Sequence, residues 1–197
     1  MPGHLVAFEG LDQSGKQTQA ECLAASLRAH GRSVDLLSFP DYETALGAEI
    51  GRALRGERDH APEVMQLLYV ANRYEHATRI RNRLQEGAVV VCDRYLASSI
   101  AYGEAQGLDP VWLHDVQRHL PPPTVTLLLD IAPEISLGRK HTSRDRFERD
   151  LALLARVRKS YLRQSQQPEW LAVDGAQPRE QVAAFILDAM APRLGLP

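Results

Sequence analysis

The chain has 197 residues, which is the size of one domain with a single hydrophobic core. Hydrophobic residues make up 44% and charged residues 24% of the chain, so the composition excludes a disordered protein. The formal net charge is −2, and the chain therefore lacks the overall positive charge with which proteins hold polymeric nucleic acid or an anionic membrane.

Short apolar runs and segments with helical periodicity alternate along the sequence. The apolar runs predict strands, and the periodic segments between them predict helices. From the N-terminus, the predicted elements are the strand Leu5–Phe8, the helix Lys16–His30, the strand Val34–Phe39, the helices Thr44–Arg55 and Pro62–Gln85, the strand Ala88–Cys92, the helices Tyr95–Ala105 and Pro110–His119, the strand Val125–Ile131, the helices Pro133–Gly138 and Asp150–Gln164, the strand Leu171–Val173 and the helix Pro178–Met190. This alternation predicts an α/β fold with a five-stranded parallel sheet and helices on both faces.

The sequence lacks the signals of a secreted, membrane-bound or disulfide-rich protein. Cys22 and Cys92 are too few for a disulfide framework or a four-ligand zinc site. The N-terminal sequence MPGHLVAFEG has no basic segment followed by a long apolar run, as a signal peptide would. No apolar run is long enough to span a membrane. We therefore expect a cytoplasmic protein that binds no membrane.

A glycine-rich turn after the first predicted strand matches a phosphate-binding loop. The pattern G-x-x-x-x-G-K runs from Gly10 to Lys16, between an apolar strand and a helix, where its mechanism requires it. The two glycines allow backbone amides to point into one concavity, and these amides and the Lys16 ammonium bind phosphate oxygens. The alternative is a strand-to-helix turn with a surface lysine. The expected nucleotide-binding residues are Gly10, Asp12, Gln13, Ser14, Gly15, Lys16, Gln17 and Thr18.

One position of this loop departs from the usual pattern. The residue after the lysine is normally Ser or Thr, whose hydroxyl binds Mg²⁺, but here it is Gln17. Either the amide oxygen or a water replaces the hydroxyl, or the metal is held by carboxylates. Asp12 in the loop and Asp93 after a buried strand are the candidate carboxylates.

Four sequence blocks, in order, resemble the thymidylate kinase family. The loop reads FEGLDQSGKQTQ from Phe8, against the family pattern F-E-G-x-D-x-x-G-K-x-T-x. Residues 39–42 (FPDY) resemble the family's F-P loop, residues 68–75 (LYVANRYE) its A-N-R helix, and residues 93–102 (DRYLASSIAY) its D-R-Y segment. The resemblance implies one P-loop nucleoside-monophosphate kinase domain over residues 1–197. It also implies transfer of the ATP γ-phosphoryl group to dTMP, Mg²⁺ as cofactor, and a homodimer that meets through the helices Pro62–Gln85 and Tyr95–Ala105.

The same resemblance assigns an acceptor site. It implies that Tyr69 stacks on thymine, that Arg73 bonds to its O4, that Arg94 binds the acceptor phosphate and that Tyr102 lies beside the sugar 2′ position. It also implies that Asp12 serves the sugar 3′-hydroxyl, the metal or both. The expected substrate-binding residues are Asp12, Phe39, Tyr42, Tyr69, Arg73, Arg94, Ser98, Ser99 and Tyr102.

Some of these assignments have support from the residues themselves. Tyr69 and Arg73 are four residues apart on a predicted helix, so they face one side of it, where a ring and a guanidinium suit stacking and bonding to a base. The alternative is an amphipathic helix with Tyr69 in the core and Arg73 in a surface salt bridge. For Arg94, the alternative is a simple ion pair with Asp93 or Glu9.

Residues 139–149 form a basic segment that the resemblance identifies as a lid. The segment holds five cations and two anions, and its DRFE sequence from Asp145 is similar to the end of the family's lid. Some family members carry a catalytic arginine in the phosphate loop at the position of Gln13, which cannot supply a cation, so this chain resembles the bacterial type with a basic lid. Arg144 and Arg146 are then the candidate catalytic arginines, beside Lys16, Arg94 and Asp12, and Arg139 is expected to stack on adenine. The alternative is a solvated run of charges.

Two other functions fit parts of the pattern. A kinase of the same fold could act on a deoxynucleoside or on another monophosphate, but an acceptor without a phosphate would not need Arg94 and Tyr42. A GTP-dependent switch usually shows D-x-x-G after a strand and N-K-x-D for guanine. Here the segment DRYL from Asp93 lacks the glycine, and the sequence contains no N-K-x-D.

Overall fold

The centre of the protein is a parallel sheet, seen in a computed structural model that describes residues 3–139 and 150–195. Its strands are β1 (His4–Glu9), β2 (Val34–Ser38), β3 (Val89–Asp93), β4 (Val125–Asp130) and β5 (Trp170–Asp174). They lie in the order β2-β3-β1-β4-β5, and all neighbouring strands pair in parallel. The predicted five-stranded parallel sheet is confirmed.

Helices cover both faces of this sheet. Within the described ranges they are α1 (Lys16–Ala29), α2 (Ala45–Leu54), α3 (Pro62–Gln85), α4 (Leu96–Ala105), α5 (Pro110–Asp115), α6 (Pro133–Arg139), α7 (Leu151–Gln164) and α8 (Arg179–Leu194). Helices α1 and α8 pack on one face, and α3, α4 and α7 pack on the other. None of these helices combines the length and the apolar character needed to cross a membrane.

The strand sequences are apolar because the sheet is buried on both faces. In β1, Val6 and Phe8 point toward α1 and α8, whereas Leu5 and Ala7 point toward the opposite layer. All four side chains are at most 1% exposed. Strands buried in this way read as continuous apolar runs, which is why the sequence predicts them well.

Two predicted helices have different ends in the structure. The helix predicted to reach His119 ends at Asp115, because the backbone bonds of Gln117 and Leu120 then reach back only three residues. The last helix passes Met190 and continues through Pro192 to Leu194. A proline near a helix end removes only one backbone hydrogen bond, and Leu194 is buried in the core beyond it. The other predicted elements agree to within two residues at each end.

The carboxyl ends of the strands meet at one edge of the sheet. The phosphate loop follows β1, Phe39 follows β2, Arg94 follows β3 and Gly175 follows β5. Ligands of open parallel sheets bind at this edge, so the fold gathers the predicted site residues where the chemistry is expected.

Candidate active site

The phosphate loop has the backbone conformation that its glycines allow. Gly10 and Gly15 have φ angles of 140° and 96°, in the left-handed region. A Cβ atom on Gly10 would lie 2.5 Å from the carbonyl oxygen of Leu129, so only glycine fits at this close approach. Helix α1 begins directly afterwards and has no side-chain cap at its N-terminus, which leaves its first-turn amides available to an anion.

Lys16 lies folded into this loop. Its Nζ donates a 2.7 Å hydrogen bond to the carbonyl oxygen of Leu11, and the side chain is buried. Burial and the neighbouring Arg94 charge lower the pKa of Lys16 to about 8, although Asp12 and Asp93 act in the opposite direction. Phosphate oxygens at the loop would favour the charged form, so the ammonium is prepared for an anionic ligand.

Arg94 and Asp12 form the central ion pair of the site. Arg94 follows β3 with φ at 62°, and its Nη2 lies 2.5 Å from Oδ1 of Asp12. The second carboxylate oxygen of Asp12 accepts a 2.8 Å hydrogen bond from the Tyr102 hydroxyl. The Arg94 guanidinium also lies 5.2 Å from the centre of the Tyr102 ring, a cation–π contact. The three residues therefore hold one another in place.

Each residue of this pair shifts the pKa of the other. Burial alone would raise the pKa of Asp12, but the charges of Arg94 and Lys16 lower it to about 2. Burial alone would lower the pKa of Arg94, but Asp12 outweighs that effect and the pKa is raised. Both side chains therefore stay charged at neutral pH. The partner of Arg94 is Asp12, rather than the Asp93 or Glu9 considered from the sequence.

A fully buried carboxylate supports the start of α4. Glu9, at the end of β1, accepts hydrogen bonds from the backbone N–H groups of Tyr95 and Ser98 and from the hydroxyls of Ser98 and Tyr161. Because Ser98 Oγ also accepts from Arg94 at 3.1 Å, this carboxylate indirectly positions the guanidinium. The sequence indicates Glu9 only as an alternative ion-pair partner of Arg94 and indicates no role for Tyr161, because nothing in the local pattern brings residues from β1 and α7 together.

A pocket opens beside this ion pair, between the F-P loop, α3 and α4. It encloses about 580 Å³ of empty space, part of which is open to solvent. Its walls contain all nine residues predicted to bind the acceptor, together with four others. The lining residues are Asp12, Phe39, Pro40, Tyr42, Leu54, Gln66, Tyr69, Arg73, Arg94, Ser98, Ser99, Tyr102 and Gln106.

Arg73 is buried in the wall of this pocket, and within residues 3–139 and 150–195 it has no carboxylate partner. It is 3% exposed, and its Nη1 donates to Ser99 Oγ at 2.6 Å and to Gln117 Oε1 at 3.4 Å. Burial lowers the pKa of Arg73. Its Nε has no hydrogen-bond partner among the described residues. A surface salt bridge, the alternative considered from the sequence, is therefore excluded, and the guanidinium can donate further bonds to a ligand.

Asn72 fixes the loop on the opposite side of the pocket. Its side chain is fully buried, accepts a 2.8 Å hydrogen bond from the backbone N–H of Asp41, and donates to the Asp41 carbonyl oxygen and to Thr44 Oγ1. These bonds tie α3 to the segment that carries Phe39 and Tyr42. The A-N-R block pointed to this residue, but its role depends on a loop about thirty residues away in sequence.

The two candidate metal ligands differ in their contacts. Both oxygens of Asp12 already accept hydrogen bonds from Arg94 and Tyr102. Asp93 lies at the end of β3, and its Oδ1 is buried and has no partner in the described ranges. Burial raises the pKa of Asp93, against the opposing effects of Lys16 and Arg94. The side chain of Gln17 donates to Glu21 on the exposed face of α1. Asp93 therefore offers the carboxylate oxygen that fits a Mg²⁺ bound mainly by phosphates and water.

Arg139 lies between the phosphate loop and the turn after β5. Its guanidinium donates to the carbonyl oxygens of Gln13 at 3.1 Å and of Gly175 at 2.9 Å, so it joins the loop to the turn after β5. Arg139 is the residue that the resemblance assigns to stacking on adenine. The lid residues Arg144 and Arg146 lie outside the described residues.

Three comparisons with known proteins all match one family. The thymidylate kinase family profile matches residues 8–186. The chain is 32% identical to the thymidylate kinase of Schizosaccharomyces pombe, over 94% of this chain and 90% of that protein, and 38% identical to that of Thermomicrobium roseum, over 90% of each. The solved structure of thymidylate kinase from Candida albicans superposes with a TM-score of 0.83 at 29% identity, covering 98% of this chain and 92% of that one. The fold, the phosphate loop and these similarities together show that the chain belongs to the thymidylate kinase family.

Proposed function

We propose that the pocket between the F-P loop, α3 and α4 holds dTMP while the phosphate loop holds ATP. The enzyme transfers the γ-phosphoryl group of ATP to dTMP and so forms dTDP and ADP, a step of dTTP synthesis. The observation that carries the placement is the common pocket of the nine predicted acceptor residues, which lies directly beside the phosphate loop through Asp12 and Arg94.

Within the pocket, each contact has a chemical purpose. Tyr69 offers an aromatic face for stacking on the base. The buried Arg73 guanidinium donates to a base carbonyl, and its pairing with the neutral Ser99 and Gln117 leaves its charge for that bond. Tyr102 lines the same pocket, and we assign it to the sugar, where its ring would crowd a 2′-hydroxyl. The hydroxyl of Ser98 is taken by Glu9 and Arg94, so of the two serines Ser99 is the one we assign to the base.

The transfer step needs neutralisation of charge more than it needs a strong base. Two polyanions must approach each other, and the charges of Arg94 in the acceptor pocket and of Lys16 in the phosphate loop would offset their repulsion. Asp12 holds Arg94 in its orientation, and we assign it to accept a bond from the sugar 3′-hydroxyl. Positioning of the two nucleotides in line then supplies much of the rate enhancement.

We propose that Mg²⁺ is the cofactor and that Asp93 is the residue that would hold it. A bound Mg²⁺ would neutralise the negative charge that develops on the phosphates of ATP. The unpartnered Oδ1 of Asp93 is the observation that favours this residue over Asp12.

The basic segment at residues 139–149 is proposed to close over ATP as a lid. Gln13 is exposed and has no positive charge, so we assign the catalytic cation to Arg144 or Arg146, as in the bacterial type with a basic lid. Arg139, which already contacts Gln13 and Gly175, is proposed to bind the adenine side of ATP.

A homodimer of single-domain subunits remains part of this proposal. Helix α3 exposes Val64 and Leu67 by 42% and 45%, whereas α4 has no exposed residue, so α3 is the better candidate for the dimer face. Sedimentation of the wild type and of Leu67→Glu tests this assignment. The cytoplasmic location expected from the sequence also stays a prediction.

Initial rates with a panel of acceptors test the proposed substrate site. With ATP as donor, we expect the highest kcat/KM for dTMP and a lower kcat/KM for dUMP. The values for dCMP and for the ribose form of TMP should be far lower. Thymidine should not react, because it lacks the phosphate that Arg94 binds. Phosphorylation of thymidine as efficient as that of dTMP would contradict the assignment of Arg94.

A further inference from the structure

Gln66 is a buried polar residue of the pocket that no part of the proposed function uses. It is 1% exposed, less than any other polar residue of the lining, and in the part of the chain that the structure describes neither the nitrogen nor the oxygen of its side-chain amide has a hydrogen-bond partner. An amide that is buried without partners costs folding free energy, so its presence in a binding pocket points to a partner supplied by the ligand.

The position of Gln66 relative to the base-binding residues is defined by α3. It lies three residues before Tyr69 and seven before Arg73, so all three belong to one helix face. Seven residues correspond to about 10 Å along the axis, enough for a pyrimidine ring with a hydrogen bond at each end. A base stacked on Tyr69 therefore reaches Arg73 at one edge and Gln66 at the other.

Space for the Gln66 side chain comes from a glycine of α4. A Cβ atom on Gly103 would lie 3.3 Å from Cγ of Gln66 and 2.7 Å from a methyl group of Leu113. Gly103 directly follows Tyr102, which is assigned to the sugar. Gln66 therefore packs against α4, about two turns of α3 before Arg73, which is assigned to the O4 edge of the base.

We propose that the Gln66 carboxamide reads the O2 and N3–H edge of the pyrimidine and thereby contributes to base specificity. Its Nε2 donates to O2 while its Oε1 accepts from N3–H, so the donor and acceptor of one amide match the adjacent acceptor and donor of the base. Cytosine has an acceptor at N3, which would face Oε1 without a proton between them. This inference rests on the proposed placement of dTMP in the pocket.

The test combines a substitution with a change of one ligand atom. Gln66→Leu keeps the side chain close in size and removes both polar groups, and Gln66→Met is a second variant should the leucine not fold. KM is measured for dTMP, for 2-thio-dTMP, whose sulfur is a poor acceptor at position 2, and for 4-thio-dTMP, which alters the Arg73 edge instead. Thermal unfolding of each variant is followed in parallel, since removal of an unpaired buried amide should leave the free enzyme no less stable.

We expect Gln66→Leu to raise KM for dTMP about tenfold with KM for ATP unchanged. The preference of the wild type for dTMP over 2-thio-dTMP should disappear in the variant, and the preference over 4-thio-dTMP should remain. Gln19→Leu is a matched control, because Gln19 is also buried with an unpartnered Oε1 but lies on α1, outside this pocket. It should not alter KM for dTMP.

Two results would overturn the inference. An unchanged KM for dTMP in Gln66→Leu, or a raised KM with the 2-thio preference intact, would show that Gln66 does not contact the base. Arg73→Ala distinguishes this from a wrong pocket: if it raises KM for dTMP while Gln66→Leu does not, only the role of Gln66 is wrong, whereas no effect of either variant contradicts the placement of dTMP.

Discussion

Nη2 of Arg94 lies 2.5 Å from Oδ1 of Asp12, and this contact joins the end of β3 to the phosphate loop after β1. In the proposed function Arg94 binds the acceptor phosphate, whereas Asp12 lies both in the phosphate loop and in the wall of the acceptor pocket. The ion pair therefore connects the acceptor pocket to the phosphate loop.

Asp12→Asn should remove this ion pair, and the resulting loss in the free energy of unfolding should depend on pH. The pKa of Asp12 is lowered from 3.8 to about 2, so its carboxylate stabilises the folded state above about pH 4, and this contribution is lost as the pH falls toward 2. Urea unfolding should show a loss on the order of 2 kcal/mol at pH 7 that shrinks steadily below pH 4. Asp115→Asn, whose side chain is 61% exposed, is the control. A loss that is the same at all pH values would contradict the electrostatic origin.

Asn72→Ala should act on dTMP through the loop that Asn72 holds. Loss of three hydrogen bonds to Asp41 and Thr44 frees the segment that carries Phe39 and Tyr42, so KM for dTMP should rise several-fold while KM for ATP stays constant. The free energy of unfolding should fall by about 1–3 kcal/mol. Asn82→Ala, at an exposed position of the same helix, should change neither quantity. Equal effects on the two substrates would indicate a general loss of structure instead.

The lowered pKa of Lys16 predicts a proton uptake when ATP binds. With a free-enzyme pKa of about 8, part of the Lys16 population is neutral at pH 8.5, and the phosphates favour its protonation. Calorimetry in two buffers of different ionisation enthalpy should show this uptake at pH 8.5 and much less at pH 6.5. The kcat/KM for ATP should fall above about pH 8. Lys159→Met should leave both results unchanged, whereas binding without proton uptake at pH 8.5 would contradict the assignment.

The sequence predicts elements best where the signal is local. The bounds of α3 are correct because Pro62 begins it and Gly87 follows its end, and the strands are correct because full burial requires apolar residues throughout. The nine acceptor residues came from motifs and share one pocket. Pro192 misled the prediction of α8, since burial of Leu194 outweighs the local preference against proline.

Roles that depend on tertiary contacts cannot be predicted from the local sequence pattern. Glu9, Asn72 and Gln66 have contacts with residues far along the chain, and the local sequence pattern does not show which neighbours these are. Helical spacing from Tyr69 places Gln66 on the same face. Its missing hydrogen-bond partners become visible only once α4 and α5 are packed against it.

The proposed lid predicts a specific loss of turnover. Substitution of both Arg144→Ala and Arg146→Ala should lower kcat by about 10³-fold with little change in KM for dTMP, because the cation acts mainly on the transition state. Gln13→Arg should partly restore kcat in this double variant, since a cation could then reach the same oxygens from the phosphate loop. The activity of Gln13→Arg alone is the control. A double variant that keeps most of its turnover would show that the segment is only a solvated run of charges.

Calorimetric binding of dTMP and of ATP to Arg73→Ala and Arg139→Ala tests the central claim, that two subsites lie on opposite sides of the phosphate loop. Arg73→Ala should weaken dTMP binding by about 10- to 100-fold and leave ATP binding intact, since it removes charge-assisted hydrogen bonds from the acceptor pocket alone. Arg139→Ala should weaken ATP binding and leave dTMP binding intact. Wild-type affinity of Arg73→Ala for dTMP, or an equal loss of both ligands in either variant, would contradict the account.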